Sequence, residues 1–112
     1  MDLVVALGLQ LDWDAIEGLP DTLGANGVTS NYRYDLAPYT HELARGLGQG
    51  ANALFTQPAM PIKCAGAPQK AMYLSSNHWL RQGLLKNINV SFFTSTPGLF
   101  GVAAYVPALM KY

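Results

Sequence analysis

Cysteine and charge are both scarce in this chain. Cys64 is the only cysteine among 112 residues. An internal disulfide framework and a thiolate zinc site are therefore excluded, and a reducing, cytosolic compartment is the default unless a partner cysteine comes from another chain. Charged residues make up 12%, with seven Lys and Arg balancing seven Asp and Glu. They are scattered, so there is no basic patch for a phosphate backbone and no polybasic cluster for anionic lipid; nucleic acid is not an expected partner. No apolar run approaches the ~18 residues of a membrane span, and the N-terminus lacks a basic region, apolar stretch and cleavage site in succession. Neither a span nor a signal peptide is expected. There are two histidines, and His41, beside Glu42, has no second ligand at metal-binding spacing, so no metal site is predicted. What the chain does have is apolar content, at 50%, which fits one small domain with a packed core and not a disordered segment.

Taken in order, Leu3, Val4, Val5 and Ala6 form an apolar run ending at Gly8, the pattern of a strand buried on both faces of a parallel sheet. Such a strand needs neighbours on both sides, so the chain reads as starting inside a fold. Asp14 to Gly18 suggests a single helical turn capped by Asp12 or Asp14, with Pro20 beyond it. Residues 20–34, with the turn pairs Pro20-Asp21 and Asn26-Gly27, read as loop, and the short Tyr32-Arg33-Tyr34 alternation does not change that. Asp35 is a candidate N-cap for a helix carrying Leu36, Tyr39, Leu43 and Leu47 and ended by Gly46, Gly48 and Gly50.

A strand at Asn52 to Thr56 follows. Pro58 and Pro61 then force an extended loop, and Pro68 suits the first turn of a helix running to about Gln82, with Gly83 closing it. On that helix, Ala71, Leu74 and His78, with the row Met72, Ser75 and Trp79, form the predicted inner side, and the row of Tyr73 the outer. Ile88 to Thr94 is a strand by its β-branched and aromatic content. The last segment, Phe100 to Tyr112, is apolar and predicted helical, interrupted by Pro107. Strand, helix and strand at these lengths make a βαβ unit with a parallel sheet, and the class is α/β.

Cys64 falls at the turn between the first of these strands and its helix, among Ala65, Gly66 and Ala67. A helix start presents backbone N–H groups and the positive end of the helix dipole, and with Lys63 and Lys70 flanking it the turn favours anionic sulfur. A lone cysteine is also among the most commonly buried residues and acts as a small hydrophobe, so both readings stand on the residues alone.

Two stretches carry a family resemblance. The run Leu3-Val4-Val5-Ala6-Leu7-Gly8-Leu9-Gln10-Leu11-Asp12, and the run Pro61-Ile62-Lys63-Cys64-Ala65-Gly66-Ala67-Pro68-Gln69-Lys70 with Met72-Tyr73-Leu74, resemble sulfide:quinone oxidoreductase, in the flavoprotein disulfide reductase superfamily. The similarity covers essentially the whole chain. The second run is specific to this branch. The first resembles the superfamily's Ala-Thr-Gly strand end near the flavin, with Leu7 in place of Thr. The resemblance implies a partial Rossmann-like FAD/NAD(P)-binding fold. Residues 1–34 would be a strand and connector from the edge of the FAD-binding domain, and residues 35–112 a truncated second nucleotide-binding-like βαβ unit.

It further implies that Cys64 is one of two redox cysteines of an enzyme that binds FAD, oxidises sulfide to persulfide or polysulfide, and passes two electrons to a membrane quinone. Lys70 would assist by favouring anionic sulfur or reduced flavin, although a solvated lysine in a first helical turn is an equal reading. Ala6, Leu7 and Gly8 would touch the cofactor. The chain departs from the family in having no GxGxxG after an opening strand and no second cysteine, and the membrane-attaching part is missing. The expectation is an internal fragment, inactive alone, soluble in itself, with peripheral membrane contact of the parent made through other segments. Association with the remainder of the flavoprotein, or self-association, is expected. The alternatives are a stand-alone, non-catalytic α/β thiol or partner-binding module, and a quinone-reducing NADH dehydrogenase, which would have no need of the Cys64 run.

Overall fold

The computed structural model of the chain describes residues 2–112. Its centre is a parallel pair of strands, β1 (Asn52–Gln57) and β2 (Asn89–Thr94), in register from Asn52 opposite Asn89 to Gln57 opposite Thr94. The crossover between them carries the longest helix, α3 (Ala67–Arg81). The predicted βαβ unit is therefore present, and the chain is a mixed helix and strand structure with a two-stranded parallel sheet. Pro68 sits in the first turn of α3, where its missing N–H costs nothing. His78 and Arg81 in the last turn complement the negative end of the dipole. Gly83 follows with φ +71°, a left-handed conformation that favours glycine.

The core lies on one face of the sheet. Ala53, Trp79 and Ile88 are buried together, with Phe55, Val90, Leu84, Leu85, Ala44 and Leu47 packed around them. Trp79, 1% exposed, is the anchor: its ring lies 6.4 Å from that of Phe55, and its Nε1–H donates to the Ala44 carbonyl at 2.6 Å. That bond draws in α2 (Ala37–Gly46), because Ala44 is in the last turn of α2, whose carbonyls have no partner inside the helix. The opposite face of the sheet, with Leu54 and Phe93, is exposed.

Several sequence expectations are corrected. Leu3 to Ala6 is not a strand: residues 2–12 have no regular structure, and Leu3 and Val4 are 85% and 87% exposed. A strand exists only through hydrogen bonds to a neighbour, and among the described residues none joins residues 2–12 to either edge of the sheet. The turn expected at Asp14 to Gly18 is a 3-10 turn at Trp13–Ala15 with no side-chain cap from Asp12. Gly18, at φ +76°, instead caps α1 (Leu19–Thr22), which interrupts the expected loop with Pro20 in its first turn. Asp35 does not cap α2. Its carboxylate is held by Arg33, and a 3-10 turn, Tyr34–Leu36, leads into the helix.

Leu74, assigned to the inner side of α3, is 59% exposed. The indole of Trp79 sets the rotation of the helix, and a different row, Gln69 and Tyr73, is taken by the C-terminal segment through bonds to the carbonyls of Leu99 and Leu109. Pro107 does not interrupt a helix. It lies in the first turn of α4 (Val106–Leu109), which follows a 3-10 turn at Ala103–Tyr105. The radius of gyration, 15.9 Å, exceeds the roughly 13 Å of a compact domain of this length, in keeping with so much unpacked apolar surface.

Candidate functional site

Both strands run toward the same end of the sheet, and in open α/β structures ligands bind outside the carboxyl ends of the strands. Here β1 ends at Gln57, and the chain reaches Cys64 through the irregular stretch 58–66. Cys64 is a free, exposed thiol. Its carbonyl accepts the N–H of Ala67 at 3.0 Å, which turns the chain into α3. Gly66 is the N-cap and brings no side-chain acceptor. Of the donors at this helix start, Ala67 is thus engaged by Cys64 itself and Pro68 has none. The N–H groups left to meet an anion are those of Gly66 and Gln69.

Lys70 lies on α3, and its side chain lines a cavity of about 290 Å³ with Gly66, Tyr73, Leu74 and Phe100. No hydrogen bond joins Lys63 or Lys70 to the sulfur among the described residues. Ala6, Leu7 and Gly8 are exposed, Leu7 at 93%, and no hydrogen bond ties them to the Cys64 turn. The structure therefore keeps Cys64 and Lys70 at one helix start. Among the described residues no three His, Cys, Asp or Glu side chains converge on a metal position, and no helix is long and apolar enough to cross a membrane.

Two residues that sequence reasoning passed over belong to this end of the fold. Gln57, 6% exposed, has a buried Oε1 with no donor, a costly state for a carboxamide. It faces a cavity of about 230 Å³ shared with Met60, Ala65, Thr96, Gly98 and Phe100, which places it beside the residue after Cys64. The other is Tyr32. Its hydroxyl donates toward the carbonyls of Cys64, at 3.0 Å, and Lys63, at 3.2 Å, from 32 and 31 residues away. Burial pushes the Tyr32 phenol up, and the nearby Cys64 sulfur adds to the shift by charge repulsion. The tyrosine alternation at 32–34 was the only sequence trace of it. Gln57 left none beyond its place at a strand end.

A thiol just before a helix start, with the next residue lining an apolar cavity that holds an orphaned acceptor, is the geometry with which known proteins can be compared. A mitochondrial sulfide:quinone oxidoreductase of Dictyostelium discoideum is 40% identical over 109 residues, covering 97% of this chain and 24% of that protein. Those of Mus musculus and Schizosaccharomyces pombe are 42% and 37% identical over 109 and 115 residues, with the same shares covered. The chain matches a segment of the sulfide:quinone oxidoreductases. It spans about a quarter of the length of these relatives, 24% in each case. No protein-family model matches it. The resemblance read from the Cys64 run is thereby shown at the level of the whole chain. The sulfide:quinone oxidoreductase match also covers the segment that holds Tyr32 and Gln57.

Proposed function

We propose that this chain supplies one of the two reacting sulfurs of a flavoenzyme that oxidises sulfide and passes the electrons to a quinone. The observation that carries this is the free, exposed Cys64 at the start of α3 in a chain that matches sulfide:quinone oxidoreductases over 97% of its length. Residues 1–34 belong in this reading to the edge of an FAD-binding domain, and residues 35–112 to a truncated second unit of Rossmann-like kind. Contact with a membrane quinone is made by segments outside this chain.

The sulfur chemistry needs a second cysteine from another segment, because this chain has one. Hydrosulfide attacks the disulfide between the two cysteines; one S–S bond forms and one breaks, leaving a persulfide on one sulfur and a thiolate on the other. Transfer of the outer sulfur to an acceptor nucleophile leaves both cysteines reduced, and remaking the disulfide gives up two electrons. FAD, when bound, supplies the two-electron relay from these sulfurs to the quinone. The residues fit such a group. Gln57 Oε1 is a buried acceptor lacking a donor, and at the apolar cavity that includes Ala65 it would accept a hydrogen bond from such a group. Ala6, Leu7 and Gly8, exposed, are open to a cofactor held mainly elsewhere. The Lys70 ammonium, in the second turn of α3, favours negative charge on sulfur or on the reduced cofactor.

The test grafts this chain into the Dictyostelium discoideum sulfide:quinone oxidoreductase in place of the matching segment. The graft is expected to reduce quinone with sulfide and to hold FAD. Cys64→Ser in it is expected to lower turnover on the order of a thousandfold or more while leaving FAD bound. Normal turnover by that variant would remove Cys64 from the chemistry. The 112-residue chain alone is expected to stay colourless after FAD is added and the excess removed.

A further inference from the structure

Cys64 lies in a stretch without regular structure, and irregular backbone holds a reacting atom in place only where something outside the stretch fixes it. Among the described residues, the long-range polar contacts to Lys63 and Cys64 come from one side chain, Tyr32. Tyr32 is itself fixed. Its N–H donates to Ser30 Oγ at 3.2 Å, the Thr29 and Thr40 hydroxyls are 2.6 Å apart, and Tyr39 Oη accepts the Gly27 N–H at 2.8 Å. The Gly24 N–H to Val28 carbonyl bond at 2.9 Å closes the start of the same segment. Residues 24–33 are therefore a strap laid along α2, and its far end is the Tyr32 ring.

We propose that Tyr32 is a positioning residue for Cys64: its hydroxyl, donating to the Cys64 and Lys63 carbonyls, holds the peptide that carries the thiol. This rests on the reading of Cys64 as a reacting sulfur and deepens it. One phenolic proton serves two carbonyl oxygens, so the clamp depends wholly on that proton. When the phenol ionises the donor is gone, and an oxygen anion then faces two carbonyl oxygens and the sulfur. The titratable group shown to act on the ring is Cys64, with Lys63 next to it in the chain across the contact, and Arg33 and Asp35 beside the ring in the chain and paired with each other. Burial and the Cys64 charge both keep the phenol protonated past its ordinary range. The clamp is thus intact at neutral pH and opens only in strong base.

The experiment uses the 112-residue chain with no sulfide, flavin or quinone present, so its outcome is independent of whether the graft turns over. Amide exchange of Ala67, whose N–H is bonded to the Cys64 carbonyl, is expected to rise about three- to tenfold in Tyr32→Phe, the factor for losing one net hydrogen bond. The rate of Cys64 exchange with hydroxyethyl disulfide is followed against pH in parallel. Wild type is expected to show a step above about pH 10, where tyrosine ionises, and Tyr32→Phe to lack it. Tyr34→Phe, at a side chain 95% exposed, should keep both wild-type behaviours. A Tyr32→Phe chain that keeps either the wild-type Ala67 exchange or the step overturns the proposal. Should that variant not fold, the wild-type chain decides. A step that coincides with the Tyr32 ring titration seen by NMR supports the clamp, and one that does not coincide, or is missing, overturns it.

Discussion

Replacing Trp79 tests the core argument most directly, because one side chain both fills the centre and ties α2 to the sheet. Its indole N–H meets the Ala44 carbonyl at 2.6 Å, one of the carbonyls that a helix end leaves without an internal partner. Trp79→Phe keeps a ring against Phe55 but strands that carbonyl in a place water reaches poorly, which costs about 1–3 kcal/mol. The smaller ring adds a void, so the whole change is expected near 2–3 kcal/mol. Trp79→Ala removes the ring as well and should cost about 3–5 kcal/mol. A domain of this kind has about 5–15 kcal/mol in all, and here few side chains share the load: among the described residues, Leu36, Ala53, Trp79 and Ile88 are the buried hydrophobic ones. Urea unfolding followed by far-ultraviolet circular dichroism is the assay, because Trp13 would confuse fluorescence. With a slope of about 1–3 kcal/mol per molar urea, Trp79→Phe should move the midpoint down by on the order of 1 M. A loss under about 0.5 kcal/mol, the size of an ordinary surface change, would refute the account of Trp79 as the anchor.

The remaining expectations concern pH and association. Asp35 is held below the usual carboxylate range, first by its hydrogen bond from Arg33. Its contribution to stability is complete above about pH 4 and fades as pH falls through the lower folded value; an Asp35→Asn chain whose acid unfolding matches wild type would contradict this. Burial raises the Tyr73 phenol, whose hydroxyl donates to the Leu109 carbonyl at 3.0 Å. That tie is complete below about pH 10 and lost above it, so Tyr73→Phe should flatten the alkaline loss of stability; unchanged alkaline unfolding would show the tie contributes nothing. The exposed Leu3, Val4, Val5 and Leu7, with Leu54 and Phe93 on the open sheet face, should drive concentration-dependent self-association. Sedimentation velocity showing a monomer at every concentration would exclude it.

How much of the fold could be read from the residues follows from how local each signal is. The unit β1, α3, β2 was readable because its marks lie within it: β-branched and aromatic runs in the strands, Pro68 in the first helical turn, Gly83 just past the last. Leu3 to Ala6 has as good a strand composition as β1, yet it pairs with nothing among the described residues. Composition reports that a segment could be a strand, and the partner that would make it one is not encoded in the run. Leu74 failed for a related reason. Apolar spacing gives a helix two possible inner rows, and the choice fell to Trp79 and to the carbonyls of Leu99 and Leu109, which lie in other elements.

The site divides along the same line. Cys64 could be picked out by residue type, since a single cysteine at a strand-to-helix turn carries its chemistry with it. Tyr32 and Gln57 could not, because a tyrosine in a loop and a glutamine at a strand end acquire meaning only from what they face. Tyr32 faces two carbonyls more than 30 residues away, and Gln57 faces a cavity whose other wall begins at Thr96. The parallel crossover returns the end of β2 to the same edge of the sheet as the end of β1, which sets Thr96 opposite Gln57 across one cavity, while the strap along α2 brings Tyr32 to Cys64. A helix start by itself favours anionic sulfur but does not hold it in one place. What the fold adds is a fixed place for it, held by a phenol that no pattern around Cys64 announces.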